Sequence, residues 1–155
     1  MSEVIYTKEQ TEKLVPHSGK MFLLSRIAAF SIEAKELTSE VDILPGTLFL
    51  DSGMQGVPVW IGFEYMAQSI SALSGIYNRE RNTAPQVGFI MSVTGYTASV
   101  DSFPLGKCIQ IQVRQTLRMD QAVTFEGVIF MDGKEVAHGV LNTVEVSSYK
   151  VLERE

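Results

Sequence analysis

The chain has 155 residues, the length of one ordinary domain, and a net charge of −5 from 13 Lys and Arg against 18 Asp and Glu. This acidic balance argues against a general nucleic-acid-binding protein, because such a protein needs a basic surface to neutralise phosphates. Two histidines and one cysteine, Cys108, exclude an internal disulfide and leave little material for a metal centre. The motifs GxGxxG, P-loop, GxSxG and HExxH are missing from the sequence. We therefore expect no metal and no cofactor, and either binding or proton-transfer chemistry that needs few groups.

The sequence also predicts where the protein resides. No stretch of 18 or more apolar residues occurs, so we expect no transmembrane helix and no membrane partner. Residues Met1–Ile5 lack a basic region followed by an apolar one, so they do not resemble a signal peptide. These two observations favour a cytoplasmic protein.

The first part of the chain predicts one short helix and two strands. Thr7 and the three residues after it fit a capping box, which predicts a helix over about residues 8–15 that Pro16 ends. The apolar stretch 21–30 predicts a strand that enters a core, and residues 37–43 predict a second strand paired with it.

The longest candidate helix covers about residues 58–78. Pro58 suits its first turn, where a missing N–H costs nothing. One set of apolar residues keeps helical spacing, namely Phe63, Met66, Ala67, Ile70, Leu73 and Tyr77. Further apolar residues lie on the other sides, namely Trp60, Ile61, Ala72 and Ile76. Because it is apolar nearly all round, this helix is predicted to be buried, and the polar run 78–82 is predicted to be a loop.

The rest of the chain predicts consecutive strands. They are expected over residues 87–99, 107–119, 122–131 and 134–147, with Asp132-Gly133 forming a tight type I′ hairpin turn. The order of elements predicts a single α+β domain over residues 1–155, with an antiparallel sheet wrapped around one long central helix. Because such a sheet leaves long strand edges, we expect a homodimer or a pairing with a similar subunit.

Glu64 is the most informative residue for function. It is the one charged side chain between Pro58 and Asn78, and burying an unpaired carboxylate costs several kcal/mol. Gln68 follows one helical turn later on the same face. One hypothesis makes Glu64 a general acid or base in a cleft, favoured by the N-terminal helix dipole. The alternative places Glu64 on an exposed edge or in a structural ion pair.

The two histidines differ in their surroundings. His17 follows Pro16 and precedes Ser18-Gly19, and a histidine in such a loop could serve as an acid–base partner or simply bond to the backbone. His138 lies within a predicted strand, where a role in sheet packing is expected, and it is the fallback candidate for the base.

A loop with two glycines precedes the long helix. Its residues 51–56 read DSGMQG, and free backbone N–H groups near a helix start can polarise a carbonyl oxygen. The plain alternative is a loop with no special role. Asp51 is a candidate second carboxylate on spacing alone.

Three stretches together resemble a known family. Residues 14–27 read LVPHSGKMFLLSRI, similar to the opening pattern LPHR-x-x-hLLhDRh of the (3R)-hydroxyacyl-acyl-carrier-protein dehydratases. Residues 57–68 read VPVWIGFEYMAQ, similar to their helix start MPG-hhxhEAMAQ, and residues 127–137 resemble their last hairpin. The resemblance covers about residues 14–146 and is strongest to the dehydratase-like proteins of aryl-polyene and related fatty-acid gene clusters. It implies the hot-dog fold.

The resemblance also implies site residues. Glu64 matches the acid that works with a histidine in the family, so Glu64 and His17 are the predicted catalytic residues. The predicted substrate-binding residues are Gln68, Gly56, Pro58 and Trp60. The usual catalytic histidine of the family lies in an HFPG loop before the helix, whereas residues 49–53 here read FLDSG. His17 matches a different histidine of the family, in the opening motif, which is not the usual catalytic base. Either His17 takes over that role, or catalysis depends on Glu64 alone, or the chain is not catalytic.

The implied function is dehydration of a 3-hydroxyacyl thioester on acyl carrier protein to a trans-2-enoyl thioester, in fatty-acid or aryl-polyene type lipid synthesis. Because the loop histidine is missing, one alternative is a non-catalytic hot-dog subunit that pairs with an active dehydratase. A second alternative is an acyl-thioester hydrolase, in which the helix carboxylate would activate water.

Overall fold

A computed structural model describes residues 5–15, 19–81 and 86–147, without the side chains of residues 20, 81, 86–91, 146 and 147. Within these residues, two α-helices and eight β-strands follow each other. They are α1 (Lys8–Glu12), β1 (Arg26–Ser31), β2 (Glu36–Asp42), β3 (Gly56–Pro58), α2 (Gly62–Arg81), β4 (Gln86–Ala98), β5 (Ser102–Pro104), β6 (Cys108–Met119), β7 (Ala122–Met131) and β8 (Lys134–Ser147). Six strands form one antiparallel sheet in the order β1-β2-β6-β7-β8-β4, and β3 pairs separately with β5.

The capping box predicted at the start of α1 is confirmed. The Thr7 N–H donates to Gln10 Oε1 at 2.9 Å, and the Gln10 N–H donates to Thr7 Oγ1 at 3.3 Å. The helix ends at Glu12, earlier than the predicted residue 15, because the chain tightens into a turn in which the Leu14 N–H bonds to Thr11. Pro16, which was predicted to end this helix, lies outside the described residues.

The strands predicted in the second half of the chain are confirmed. Along β6 the side chains of Ile109, Ile111 and Val113 are buried and alternate with more exposed residues, as a strand with one face on the core requires. Asp132 and Gly133 both have positive φ, at 54° and 77°, as a type I′ turn demands. Local sequence determined these elements, because alternation and turn residues are local signals.

The boundaries predicted for the long helix were wrong at both ends. Pro58 is the last residue of β3 rather than a helical residue, and Val59–Ile61 form a 3-10 turn before α2 begins at Gly62. The helix then continues to Arg81 instead of giving way to a loop after Tyr77. The short pair β3–β5 joins residues far apart in the chain, so no local pattern predicted it. The predicted start of the first strand was also wrong, since β1 begins at Arg26 rather than at residue 21.

The sheet wraps around α2, as predicted. Met66 and Ile70 are both buried, and the Met66 side chain packs so closely on Gly127 of β7 that it would have to shift to make room for a Cβ there. On another side of the helix, the hydroxyls of Ser69 and Ser39 of β2 are hydrogen bonded at 2.7 Å within the core. Within the described residues, α2 is not long and apolar enough to cross a membrane, and neither is α1.

A second layer covers the side of α2 that carries Gln68 and Gly75, which lie seven residues apart and therefore on one face. We call residues 13–25 the opening segment, of which 16–18 lie outside the described residues. A Cβ at Gly75 would overlap the carbonyl oxygen of Leu14 in this segment. Further along, the Leu23 N–H and the Met21 carbonyl both bond to the Gln68 side chain. The small residue at position 75 thus lets the backbone of the opening segment lie directly on the helix.

The contact at Gly75 can be tested by replacing it with alanine. In an isolated helix, replacing glycine by alanine stabilises the helix by about 1 kcal/mol. In a packed interior, a methyl group that overlaps its neighbours destabilises the fold by about 1–3 kcal/mol. We therefore expect Gly75→Ala to lower the free energy of unfolding measured by urea denaturation. The control is Ser74→Ala, a neighbouring helical position that is half-buried. A Gly75→Ala protein more stable than the original would show that Leu14 does not pack here.

Candidate active site

Glu64 lies in the first turn of α2, where the helix dipole favours a negative charge. Its side chain is half-buried, and its Oε1 accepts a hydrogen bond from Gln68 Nε2 at 3.3 Å. The carboxylate is therefore partly accessible to solvent, and at least one hydrogen-bond donor holds it in place. This placement suits a group that must reach a substrate and still keep one orientation.

Gln68 is completely buried, with 0% of its surface exposed. Its Oε1 accepts from the Leu23 N–H at 2.9 Å, and its Nε2 donates to the Met21 carbonyl at 2.8 Å as well as to Glu64. The side-chain amide thus pairs with the backbone of residues 21–23 as a neighbouring strand would. Both ends of the amide are satisfied, as a buried polar group requires. One residue holds the acid and the opening segment together.

The predicted base, His17, lies outside the described residues, so its pairing with Glu64 remains a prediction. The described residues on either side of it are fixed to the rest of the molecule. Val15 is buried in the core, and the Gly19 N–H donates to Glu12 Oε2 at 2.8 Å.

The other histidine, His138, lies in β8 as predicted, but its ring is on the outer face of the sheet and 55% exposed. One ring nitrogen bonds to Thr97 Oγ1 at 2.9 Å, and the other lies 3.0 Å from Glu135 Oε2. The expected role of His138 in sheet packing was therefore wrong, because its exposed ring makes a polar contact with the neighbouring strand instead. Since α2 lies on the inner face, His138 is separated from Glu64 by the sheet and cannot serve as the fallback base within this subunit.

The loop before β3 is organised by Asp51. Its Oδ1 accepts from the N–H groups of Gly53 at 2.8 Å and Met54 at 3.2 Å, and the Gly56 N–H donates to the Asp51 carbonyl at 3.3 Å. These three amides are therefore occupied within the loop. Gly56 has a steric role as well, because a Cβ there would overlap the Phe103 backbone of β5. Asp51 acts here as a turn-forming residue.

Because the loop amides are occupied, the start of the helical segment offers the better hydrogen-bond donors. The first hydrogen bond of the 3-10 turn comes from the Gly62 N–H to the Val59 carbonyl. The Val59 N–H already donates to the Asp101 carbonyl at 3.0 Å, so the donors that remain at this helix start are the N–H groups of Trp60 and Ile61, which have no acceptor inside the helix. Trp60 lies at this start with 59% of its surface exposed, and Pro58 directly precedes the turn. Binding of substrate by Gly56, Pro58, Trp60 and Gln68 remains a prediction.

The sequence did not single out two tyrosines that lie near this helix start, and one of them, Tyr96, supports it. The Tyr96 hydroxyl donates to the Val59 carbonyl at 2.5 Å and occupies the space that a Cβ at Gly62 would need. Burial raises the pKa of Tyr96 to about 12, and burial together with the nearby Tyr96 raises the pKa of Tyr65. Both phenols are therefore neutral at physiological pH. Within the described residues the buried Tyr65 hydroxyl has no hydrogen-bond partner. In the sequence, the sign of this packing is Gly62, a glycine within a stretch that otherwise favours a helix.

The described residues contain no group of three or more His, Cys, Asp or Glu side chains that could hold a metal ion.

Comparison with known proteins gives a family and a fold. Residues 9–153 match the ApeP-like family, described as ApeP dehydratase. The dehydratase heterocomplex ApeI:P from Xenorhabdus doucetiae contains a chain that is 26% identical, with a TM-score of 0.82 over 92% of this chain and 95% of that chain. A search of curated proteins gave no significant match.

Thioesterase-like structures are similar at much lower identity. A hypothetical thioesterase with coenzyme A from Streptococcus pneumoniae TIGR4 is 8% identical, with a TM-score of 0.62 over 79% of this chain and 85% of that chain. The PaaI protein of the phenylacetic acid degradation operon of E. coli is 10% identical, with a TM-score of 0.60 over 76% and 80% of the two chains. These likenesses concern the fold alone.

The sheet wrapped around a central helix, the acid in the first turn of that helix and the family match over nearly the whole chain agree with one another. The fold is the hot-dog fold, and the chain belongs to the ApeP-like dehydratase family.

Proposed function

We propose that the chain dehydrates 3-hydroxyacyl thioesters carried on the phosphopantetheine arm of acyl carrier protein, giving trans-2-enoyl thioesters. The observation that supports this most directly is the arrangement at the start of α2. Glu64 is held there by Gln68, and Gln68 also holds the opening segment that carries His17. An elimination needs one base and one acid at two neighbouring substrate carbons. The opening segment supplies a histidine for the base, and the helix supplies a carboxyl group for the acid.

Each group has a defined part in the reaction. Backbone N–H groups at the start of the helical segment donate hydrogen bonds to the thioester carbonyl oxygen and so make the α-proton more acidic. His17 removes that proton from C2, and Glu64 gives a proton to the 3-hydroxyl. The C3–O bond then breaks, water leaves, and the C2–H electron pair becomes the C2=C3 double bond. The cycle closes when the proton on His17 returns to Glu64 through solvent.

The length of the chain permits His17 to reach this site. Met21, whose carbonyl is bonded to Gln68, lies four residues after His17. A chain spans at most about 3.6 Å per residue, so four residues give a reach of at most about 14 Å from that anchor. A path of this length includes positions next to Glu64, one helical turn from Gln68.

The proposed role of Glu64 predicts a large loss of activity in Glu64→Gln. Because the amide cannot give up a proton as an acid, we expect the rate of enoyl formation to fall by at least about 100-fold. The rate is measured by enoyl absorbance with a 3-hydroxyacyl thioester, while free thiol is followed in parallel.

Glu80→Gln provides the matched control, since Glu80 is an exposed acid near the other end of the same helix. It should retain normal activity. A Glu64→Gln protein with unchanged turnover would contradict the assignment. Release of thiol without any enoyl product would support the hydrolase alternative instead.

The proposed role of His17 is tested by His17→Asn. We expect turnover to fall by about 100-fold or more, since the base that removes the α-proton is lost. The circular dichroism spectrum and the molecular mass should stay the same. His138→Asn changes the other histidine on the outer face of the sheet and should keep activity. If His17→Asn is as active as His138→Asn, the base lies elsewhere.

A second candidate function is that of a non-catalytic subunit beside an active dehydratase. Two observations favour it. Residues 49–53 contain no histidine, and Asp51 organises that loop through its own hydrogen bonds. The similar chain from Xenorhabdus doucetiae comes from a dehydratase heterocomplex. In this case Glu64→Gln and His17→Asn would both leave the activity of the assembled complex nearly intact.

The sheet itself favours pairing with another subunit. On one side, β1 is covered by a short bridge, in which the backbones of Tyr6 and Ile27 exchange hydrogen bonds. On the other side, β4 is 13 residues long and ends the sheet, and no strand in the described residues pairs with its outer edge. A long free edge of this kind is normally covered, and a second hot-dog subunit can extend the sheet there.

Pairing predicts the mass of the protein in solution. Light scattering at micromolar concentration should show no stable species of 17.2 kDa, and at least twice that mass. Copurification would then identify a second hot-dog subunit and the carrier protein. A monodisperse 17.2 kDa species that is fully active would exclude both the pairing and a site shared between subunits.

A further inference from the structure

A cleft lies at the opposite end of α2 from Glu64. It has a volume of about 440 Å³ and is bounded by the second half of α2, the turn between β1 and β2, and the far ends of β6, β7 and β8. Its helical lining begins at Leu73, nine residues after Glu64, which is about 14 Å along the helix axis. A volume of this size is within the usual range for small-molecule sites. The cleft is therefore separate from the candidate active site.

The floor of the cleft is apolar. Leu73 from α2 and Phe125 from β7 belong to the buried core, and each presents part of its side chain to the cleft. Ile32, which is half-buried, extends this surface towards the turn between β1 and β2. A ligand that rests on these side chains needs a hydrocarbon or aromatic body.

The rim of the cleft is polar and carries one uncompensated positive charge. Arg118 is paired with Glu145 at 2.6 Å, so these two charges neutralise each other. Lys35 also lines the cleft, and among the described residues it has no ion-pair partner. The side-chain amide of Gln115 makes no hydrogen bond within the described part of the chain. The charged side chains that line the cleft, Lys35, Arg118 and Glu145, thus sum to +1 on a protein whose net charge is −5.

The backbone fixes the position of Lys35. Its φ of 56° is left-handed, a conformation that glycine or asparagine adopts at less cost. The Lys35 carbonyl accepts from the Gln115 N–H of β6 at 2.9 Å, which holds this turn against the sheet. The ammonium is therefore presented from a fixed turn at the rim, and the aliphatic part of its side chain can lie along the apolar floor.

We propose that this cleft binds an amphipathic organic anion, with its apolar body on Leu73 and Phe125 and its carboxylate at the Lys35 ammonium. The site is independent of the dehydratase chemistry, since it shares no residue with the Glu64 site. Octanoate is a suitable probe, and 1-octanol and octyltrimethylammonium are its neutral and cationic counterparts.

The experiment is a titration of the isotope-labelled full chain, followed by backbone amide chemical shifts. Octanoate should give saturable shifts at Leu73, Ser74 and Phe125, with a Kd at least about tenfold lower than that of 1-octanol. Octyltrimethylammonium should not bind there. Lys35→Glu should raise the octanoate Kd about tenfold or more. Ser74→Trp, which places a large ring in the cleft, should abolish the shifts.

Lys134→Glu is the matched control, because Lys134 is an exposed lysine at the opposite end of the β7–β8 pair. It should leave the octanoate Kd unchanged. The proposal is overturned if octanoate shows no saturable binding or if the shifts lie at the start of α2 instead. Equal effects of Lys35→Glu and Lys134→Glu would overturn it as well. Because Lys35 is exposed at a turn, the Lys35→Glu protein should fold even if Ser74→Trp does not.

Discussion

The buried side-chain amide of Gln68 is the interaction on which the candidate site depends. A buried amide without hydrogen bonds would be strongly unfavourable, and this one is satisfied by the backbone of residues 21–23 and by Glu64. The requirement works in both directions. The same amide that Met21 and Leu23 satisfy also pairs the Leu23 N–H and the Met21 carbonyl. The acid on the helix and the backbone of residues 21–23 are therefore fixed by one shared set of hydrogen bonds.

This arrangement requires the opening segment to lie very close to α2, and the side chains of the helix permit it. Gly75 leaves room for the Leu14 backbone at one point, and Gln68 binds the backbone at another point on the same face. Two different parts of the same chain, the sheet and the opening segment, therefore cover the helix. The sheet packs on apolar side chains such as Met66, whereas the opening segment packs on a stripe of small and polar residues. That stripe, rather than an entirely apolar surface, explains how a hot-dog helix can carry a carboxylate.

Local signals in the sequence were enough for much of the fold and for one part of the site. The Thr7 capping box, the alternation along β6 and the turn at Asp132 each involve neighbouring residues, and each was predicted correctly. Glu64 stood out because it is a charge in an otherwise apolar helix. The contact of Tyr96 with Val59 could not be predicted, because it joins distant residues through a bulged strand. Pro58 misled the prediction, since its φ suits both a helix start and the end of a short strand.

The position of the histidines limits how this chain can act. The sequence contains two, and His138 is on the outer face of the sheet, away from α2. A histidine beside Glu64 must therefore be His17 or must come from another subunit. The outer edge of β4, which none of the described strands covers, and the exposed Trp60 at the helix start both leave room for a second subunit near this end of the fold. If His17 supplies the base, each subunit contains a complete acid–base pair and assembly serves to shape the site. If it does not, either Glu64 acts alone or catalysis requires the partner. In the second case the hydrogen bonds of Gln68 hold the opening segment as part of the surface that the partner recognises.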